Sequence, residues 1–238
     1  MNHKKKQLLI IPGWEGSKET WKNFINLAQN DFEVYCFDLP CFGNEPCPDK
    51  VWGVEDYSAF VVQKIKNLNL NKPILLGHSF GGQIAAYLAA NNPEATSKLI
   101  LSGPAIFRQP NNFKKIIFNF VAIFGKFFFQ LPIACKFAIK AKKILYRLAN
   151  SDYNNTSGIK REVFKKVTRQ DVSQIIKQIN LPTLVIWGNK DKYLPLKHGK
   201  KIIKLIPNSK LKIIKNGGHG LHINQLSIFY KIIKDFLN

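Results

Sequence analysis

Residues 77–82 read Gly-His-Ser-Phe-Gly-Gly (GHSFGG) and stand between the apolar run PILL, residues 73–76, and the alanine-rich run QIAAYLAA, residues 83–90. The reading of the chain turns on Ser79: it is either a nucleophile held on a sharp turn or an ordinary serine in a glycine-rich loop. Gly-x-Ser-x-Gly by itself says little, because chance places one in roughly one chain in ten of this length. Its setting says more. PILL has the unbroken hydrophobicity of a strand covered on both faces, and the run after the motif puts small residues where a helix would lie against a sheet. Strand, tight turn and helix together are what a strained nucleophile turn needs. Gly77 and Gly81 leave room for Ser79 to take a positive φ. That turn would lift the hydroxyl clear of the sheet and aim a helix N-terminus, which favours negative charge, at it.

A serine hydroxyl needs a base, and the base needs an orienting carboxylate. Two downstream loops offer them. LVIWGNKDKYLP, residues 184–195, places Asp191 four residues beyond a strand-like run. LKIIKNGGHGLH, residues 211–222, places His219 five residues beyond the next one. Loops at the carboxyl ends of strands are where open α/β sheets collect their sites. His222 is a rival base three residues on, but the Gly-Gly-His spacing favours His219. His78 is expected to pack against a strand or line a pocket, Asp38 to brace a loop, and Trp187 and Tyr193 to be structural near the acid. His3 and His198 are expected at the surface. Ser79 as a plain loop serine, and Asp191 as a cap or partner of Lys190 or Lys192, stay open.

Working outward, strand-like and helix-like runs alternate. The expected strands are Gln7–Ile11, Val34–Phe37, Ile74–Leu76, Lys98–Leu101, Thr183–Trp187 and Leu211–Ile214. Between them, Trp21, Phe24, Ile25 and Ala28 share one helical face after a Ser17 or Thr20 cap. Val54, Tyr57, Val61, Ile65 and Leu68 share a second, and Leu226, Phe229, Ile233 and Phe236 a third. This alternation predicts the α/β class: a mostly parallel sheet of about six strands, helices on both faces and right-handed crossovers. Residues 104–181 break the rhythm. They read as an inserted helical unit, with two or three lysine-studded apolar helices over 113–148 and a helical pair over 159–179. The expected organisation is a core of 1–103 and 182–238 with a helical cap, 104–181, set into it.

The order Ser79, Asp191, His219 is that of the α/β-hydrolase triad, and the chain resembles that superfamily over essentially its whole length. IPGWEGS (residues 11–17) resembles the family's oxyanion loop, FDLPCFGNEP (37–46) the loop after the next strand, and LLGHSFGG (75–82) the nucleophile elbow. PTLVIWGNKDKYLP (182–195) resembles the acid loop, GGHGLH (217–222) the histidine loop, and the insertion falls where the family carries its cap. The resemblance implies a cap-bearing, carboxylesterase-like serine hydrolase acting through Ser79, His219 and Asp191, with the backbone N–H groups of Trp14 and Phe80 as the oxyanion hole. It implies no metal and no organic cofactor. The expected substrate is a small-molecule ester, with an apolar acyl or aromatic group read from the phenylalanine-rich insertion. A carbon–carbon bond hydrolase, thioesterase or lactonase on the same triad, or a non-catalytic ligand-binding member, are the alternatives. An elbow serine speaks against dehalogenases and epoxide hydrolases, which resemble the fold but use aspartate there. Three departures stand out. Pro12-Gly13 replaces His-Gly, Cys41 replaces the glycine usual in DLPGFG, and only six residues precede the first core strand.

Composition bounds the rest. The 238 residues are 45% hydrophobic, enough for a large core. The start of the chain lacks the long apolar stretch of a signal peptide, and a cytoplasmic protein is expected. Cys36, Cys41, Cys47 and Cys135 lack metal-ligand spacing and are expected as free thiols, although Cys41 and Cys47 flank one loop and can pair if oxidised. The net charge is +21, carried by lysine, with only Arg108, Arg147, Arg161 and Arg169 as arginines. That speaks against nucleic-acid recognition, and compositional drift toward lysine would give the same excess. Residues 104–150 hold nine basic side chains and no acid, so a weak contact between the basic cap and an anionic membrane surface is expected. The apolar run over 116–139 is too interrupted to span a bilayer. A monomer or homodimer is expected.

Overall fold

The computed structural model describes residues 5–108 and 157–238. Six strands form one sheet: β1 Lys6–Ile11, β2 Phe32–Cys36, β3 Ile74–His78, β4 Leu99–Ser102, β5 Thr183–Gly188 and β6 Ser209–Ile214. Their order is β2-β1-β3-β4-β5-β6 and every pairing is parallel. Each expected strand is present, with ends moved by at most two residues. Three of the four inner strands, β3, β4 and β5, are buried along their whole length, which is why they read as continuous apolar runs. The edge strand β6 alternates instead and exposes Lys210 and Lys212.

The helices are α1 Lys22–Ala28, α2 Val54–Asn67, α3 Phe80–Asn91, α4 Gly158–Val167, α5 Lys197–Leu205, α6 Leu221–Asn224 and α7 Leu226–Leu237. The pleat sends alternate strand residues to opposite faces. Leu9, Leu75, Leu101 and Val185 pack with α2, α3, α4 and α5 on one side. Leu8, Leu76, Ile100 and Ile186 pack with α1 and α7 on the other. The chain leaves β1 toward β2, then returns past β1 to build β3 and the rest. Strand order therefore reverses between β1 and β3, and ligands of such sheets bind in the crevice outside the strand ends at that point.

Several local expectations need correction. Leu68 is not on the buried face of α2; it caps the helix C-terminus and is 42% exposed. Neither Ser17 nor Thr20 caps α1 through its side chain. Thr20 Oγ1 instead donates to the Ser17 carbonyl (2.7 Å) and closes the 3-10 turn Glu19–Trp21. His198 is not at the surface. Its ring is buried under α5 against Phe107 (5.1 Å), because it shares a helical face with Ile202. Cys41 and Cys47 are joined as a disulfide rather than free, while the half-buried Cys36 thiol is pushed up to about 12 by burial. The expected helical pair over 159–179 is one α-helix, α4, and a 3-10 turn, Ile175–Gln178. The helices expected over 113–148, the phenylalanine cluster in them, Cys135 and His3 lie outside the described residues.

Candidate active site

β3 ends at His78, and Ser79 turns the chain into α3 with φ 53° and ψ −114°. That is the left-handed side of backbone space, which a side chain occupies only when its surroundings enforce it. The enforcing contacts are present. The Ser79 N–H donates to Ser102 O (3.0 Å), and the Ser79 carbonyl accepts from Gln83 N (3.1 Å) and Ala105 N (3.0 Å). α3 can close down on β1 only because residue 81 has no side chain: a Cβ there would sit 2.1 Å from Ile11 O. Ser79 remains partly exposed at the rim while His78 and Phe80 are buried.

The acid and base come from the two loops beyond β5 and β6. His219 Nδ1 lies 2.7 Å from Asp191 Oδ2. The Asp191 side chain is 1% exposed. A buried carboxylate is costly unless its oxygens are satisfied. Here Oδ1 accepts from Tyr193 N (2.8 Å) and Leu194 N (2.9 Å), and Oδ2 meets the imidazole. Those bonds follow from the tight NKDKYL turn, which folds its own backbone donors back onto the acid. The pair stands over the end of β4, the strand beside β3: a Cβ on Gly103 would lie 3.3 Å from His219 Nδ1 and 3.5 Å from Asp191 Oδ2. The His78 ring, next in chain to Ser79, is 4.7 Å from the His219 ring. Asp191 and His219 are thus in direct contact, with the elbow at their side. A Ser79–His219 bond is not among the hydrogen bonds of the described residues.

Two further histidines back His219. His222 stacks on Trp21 (3.9 Å, 8° between planes) and sits 4.9 Å from His78. Burial, with His219 adding its charge, pushes His222 down to about 4. Burial likewise holds His78 well below the usual histidine range, reinforced by His222 and His219, although its Nδ1 bonds Ser102 O at 3.0 Å. Both rings are therefore neutral at pH 7.

The loop after β1 lies against the elbow: a Cβ on Gly13 would be 3.1 Å from Ser79 Cβ. Phe80 is the first residue of α3, so its N–H has no partner within the helix. Among the described residues, neither the Phe80 nor the Trp14 N–H donates to a backbone carbonyl. The Trp14 ring contacts Phe42 (4.7 Å), Phe80 (5.8 Å) and Phe164 (4.8 Å), so side chains from three other segments brace the loop that Pro12 enters. Cys41 adopts φ 76°, the conformation that explains why glycine is usual at this place. Asp38 fulfils its bracing role, accepting from Lys18 N (2.7 Å) and Asn44 N (3.0 Å). Trp187 donates from Nε1 to Leu194 O (3.0 Å), and Tyr193 is 71% exposed with its ring 5.3 Å from His219.

Sequence reasoning missed the polar network that joins Gln83, Arg108 and Gln170. Gln83, fully buried on α3, accepts from Arg108 Nη2 (2.9 Å) and donates to Gln170 O (2.8 Å). Gln170 in turn accepts from Val54 N (2.8 Å) and donates to Glu55 (2.6 Å). Arg108 and Gln170 are thereby both tied to the helix that begins at Ser79. The only sequence signal was a glutamine inside an otherwise apolar helix. Among the described residues, no group of three or more His, Cys, Asp or Glu side chains is arranged to hold a metal ion, and no helix is long and apolar enough to cross a membrane.

Comparison with known proteins agrees with this geometry. A family model described as the alpha/beta hydrolase fold matches residues 6–226. The chain is 29% identical to a pimeloyl-[acyl-carrier protein] methyl ester esterase of Wigglesworthia glossinidia brevipalpis, covering 97% of this chain and 93% of that one. It is 26% identical to a 2-hydroxy-6-oxo-6-phenylhexa-2,4-dienoate hydrolase of Burkholderia cepacia, covering 95% and 84%. Among solved structures it is similar to a bromoperoxidase from Bacillus anthracis, with a TM-score of 0.75, 22% identity and coverage of 98% and 92%, a likeness of fold alone.

Proposed function

The chain belongs to the alpha/beta hydrolase fold family, and on that premise we propose that it is a serine hydrolase cleaving carboxylic esters through an acyl-enzyme. The observation that carries this reading is the 2.7 Å His219–Asp191 bond beside a serine held at φ 53°. With Nδ1 committed to Asp191, the imidazole keeps Nε2 for the reacting proton.

In this mechanism Ser79 Oγ attacks the ester carbonyl carbon as its proton passes to His219 Nε2. The carbonyl oxygen takes the charge and is met by the N–H groups of Phe80 and Trp14; one such donor is worth about 3 kcal/mol in the transition state. His219 then protonates the departing alkoxide as the C–O bond breaks. Water, giving its proton to the same imidazole, attacks the acyl-enzyme and releases the acid. Asp191 holds the tautomer and stabilises the imidazolium. Side chains, backbone N–H groups and water complete every step. The Trp14, Phe42, Phe80 and Phe164 rings beside the elbow support an apolar acyl or aromatic substrate.

The test is turnover of aryl esters of increasing acyl length by the protein and by Ser79→Ala. The variant is expected to lose about a thousandfold or more; undiminished turnover by Ser79→Ala would refute the assignment. A second reading, cleavage of a carbon–carbon bond by the same residues, rests on the hydrolase of Burkholderia cepacia. A vinylogous 1,5-diketone cleaved faster than any ester would select it.

A further inference from the structure

Lysines and carboxylates are not distributed alike over this molecule. Elsewhere among the described residues six lysines pair with an acid: Lys22 with Glu19, Lys64 with Glu45, Lys160 with Glu15, Lys165 with Glu162, Lys166 with Glu55, and Lys234 with Asp31. Residues 190–215 differ. They hold nine lysines and a single acid, Asp191, whose side chain is buried against His219. All nine lysines are exposed, and among the described residues none forms an ion pair with a carboxylate. Drift in composition would raise lysine everywhere; nine lysines in these 26 residues, against 32 in all 238, is a local excess.

The placement is ordered as well. Lys197, Lys200, Lys201 and Lys204 recur at the spacing of one helical face, while His198, Gly199 and Ile202 bury the opposite face of α5. Like charges three and four residues apart repel, so the stripe weakens the helix that carries it. Lys210 and Lys212 stand on β6, the last strand of the sheet, and project to the face opposite α5, since Leu211 between them packs toward α5; Lys215 follows the strand. No arginine occurs after Arg169. Two large apolar side chains are exposed within the same run, Tyr193 (71%) and Ile213 (47%).

We propose that the α5–β6 rim is a docking surface for an anionic lipid bilayer. Lysine supplies charge to a headgroup layer without the bidentate geometry that arginine brings to nucleic acid, and an exposed tyrosine suits the boundary between headgroups and acyl chains. The rim also borders the candidate site, because the Tyr193 ring is 5.3 Å from His219. A bilayer seated there lies beside the catalytic mouth. The inference does not depend on the esterase reading, since a member without turnover would bind equally.

Sedimentation of the full chain with vesicles tests it, using phosphatidylcholine alone and with about 30 mol% phosphatidylglycerol, at low salt and about 500 mM sodium chloride. Partitioning is expected to rise about tenfold or more on the anionic vesicles and to fade with salt. The triple variant Lys197→Gln, Lys200→Gln, Lys204→Gln, which spares Lys201 over the Phe107 ring, should lose most of that gain. Its thermal melt should match or exceed the parent's because repulsion is relieved. Lys210→Gln with Lys212→Gln should lose part of the gain and provides the test if the triple variant melts early. Equal binding to both vesicle types, no binding at low salt, or undiminished binding by both variants would overturn the proposal. So would tighter binding to duplex DNA than to anionic vesicles at equal charge concentration.

Discussion

His219 Nδ1 and Asp191 Oδ2 are 2.7 Å apart, and the acid is sealed from solvent while its other oxygen is held by two backbone N–H groups. Asp191→Asn preserves size but offers an amide where the imidazole needs an acceptor. Ester turnover is expected to fall about a thousandfold or more with little change in KM. Steady-state rates across a pH series check it. A loss below about tenfold would mean that another carboxylate orients the base.

Acidification should destabilise the fold through its buried neutral histidines. His222 is pushed from 6.5 down to about 4, so above the ordinary histidine range both folded and unfolded chains are neutral there. As pH falls through 6.5 the unfolded chain takes the proton first, and stability is lost until about pH 4, where the folded ring also protonates. His78 acts in the same direction. Calorimetric melting is expected to be lower at pH 5 than at pH 7.5. The difference should narrow in His222→Phe, which keeps a ring on Trp21.

Gly81→Ala probes the closeness of α3 to β1. Its Cβ would meet the Ile11 and Pro12 carbonyls at 2.1 and 2.3 Å, and neither backbone group can step aside cheaply. A loss of about 3 kcal/mol is expected in denaturant unfolding. Gly218→Ala, with nothing within 4 Å of the new carbon, is the matched control and should change little.

Gln83→Met should be destabilising although it keeps the volume. It removes the acceptor of Arg108 Nη2 and the donor to Gln170 O inside a buried network. Leaving such groups unpartnered costs about 1–3 kcal/mol. Urea unfolding of this variant against Gln83→Glu, which keeps an acceptor for the arginine, shows how much the Arg108 contact supplies.

Much of the architecture was legible because it is written in short-range pattern. Strands β3 and β5 read as apolar runs since both their faces are covered, and the GHSFGG and NKD turns come at their ends, while GGHG follows the alternating edge strand β6 after Lys215 and Asn216. What escaped reading depends on tertiary neighbours. His198 is buried because Phe107 and Trp187 close over α5, Leu68 is exposed because α2 ends beneath it, and Cys41 meets Cys47 because the loop between them doubles back. Gln83 gave no hint of its partners, which come from residues 25 and 87 positions away.

Trp14 has a Phe from each of three separate segments around its ring, and one of these, Phe164, belongs to α4. In the proposed mechanism Trp14 lends its backbone N–H to the developing charge. Lifting α4 to admit a bulky guest would slacken the wall behind that amide, so admission and readiness cannot both be greatest at one moment. The molecule would have to shut over its guest before the alcohol oxygen could strike.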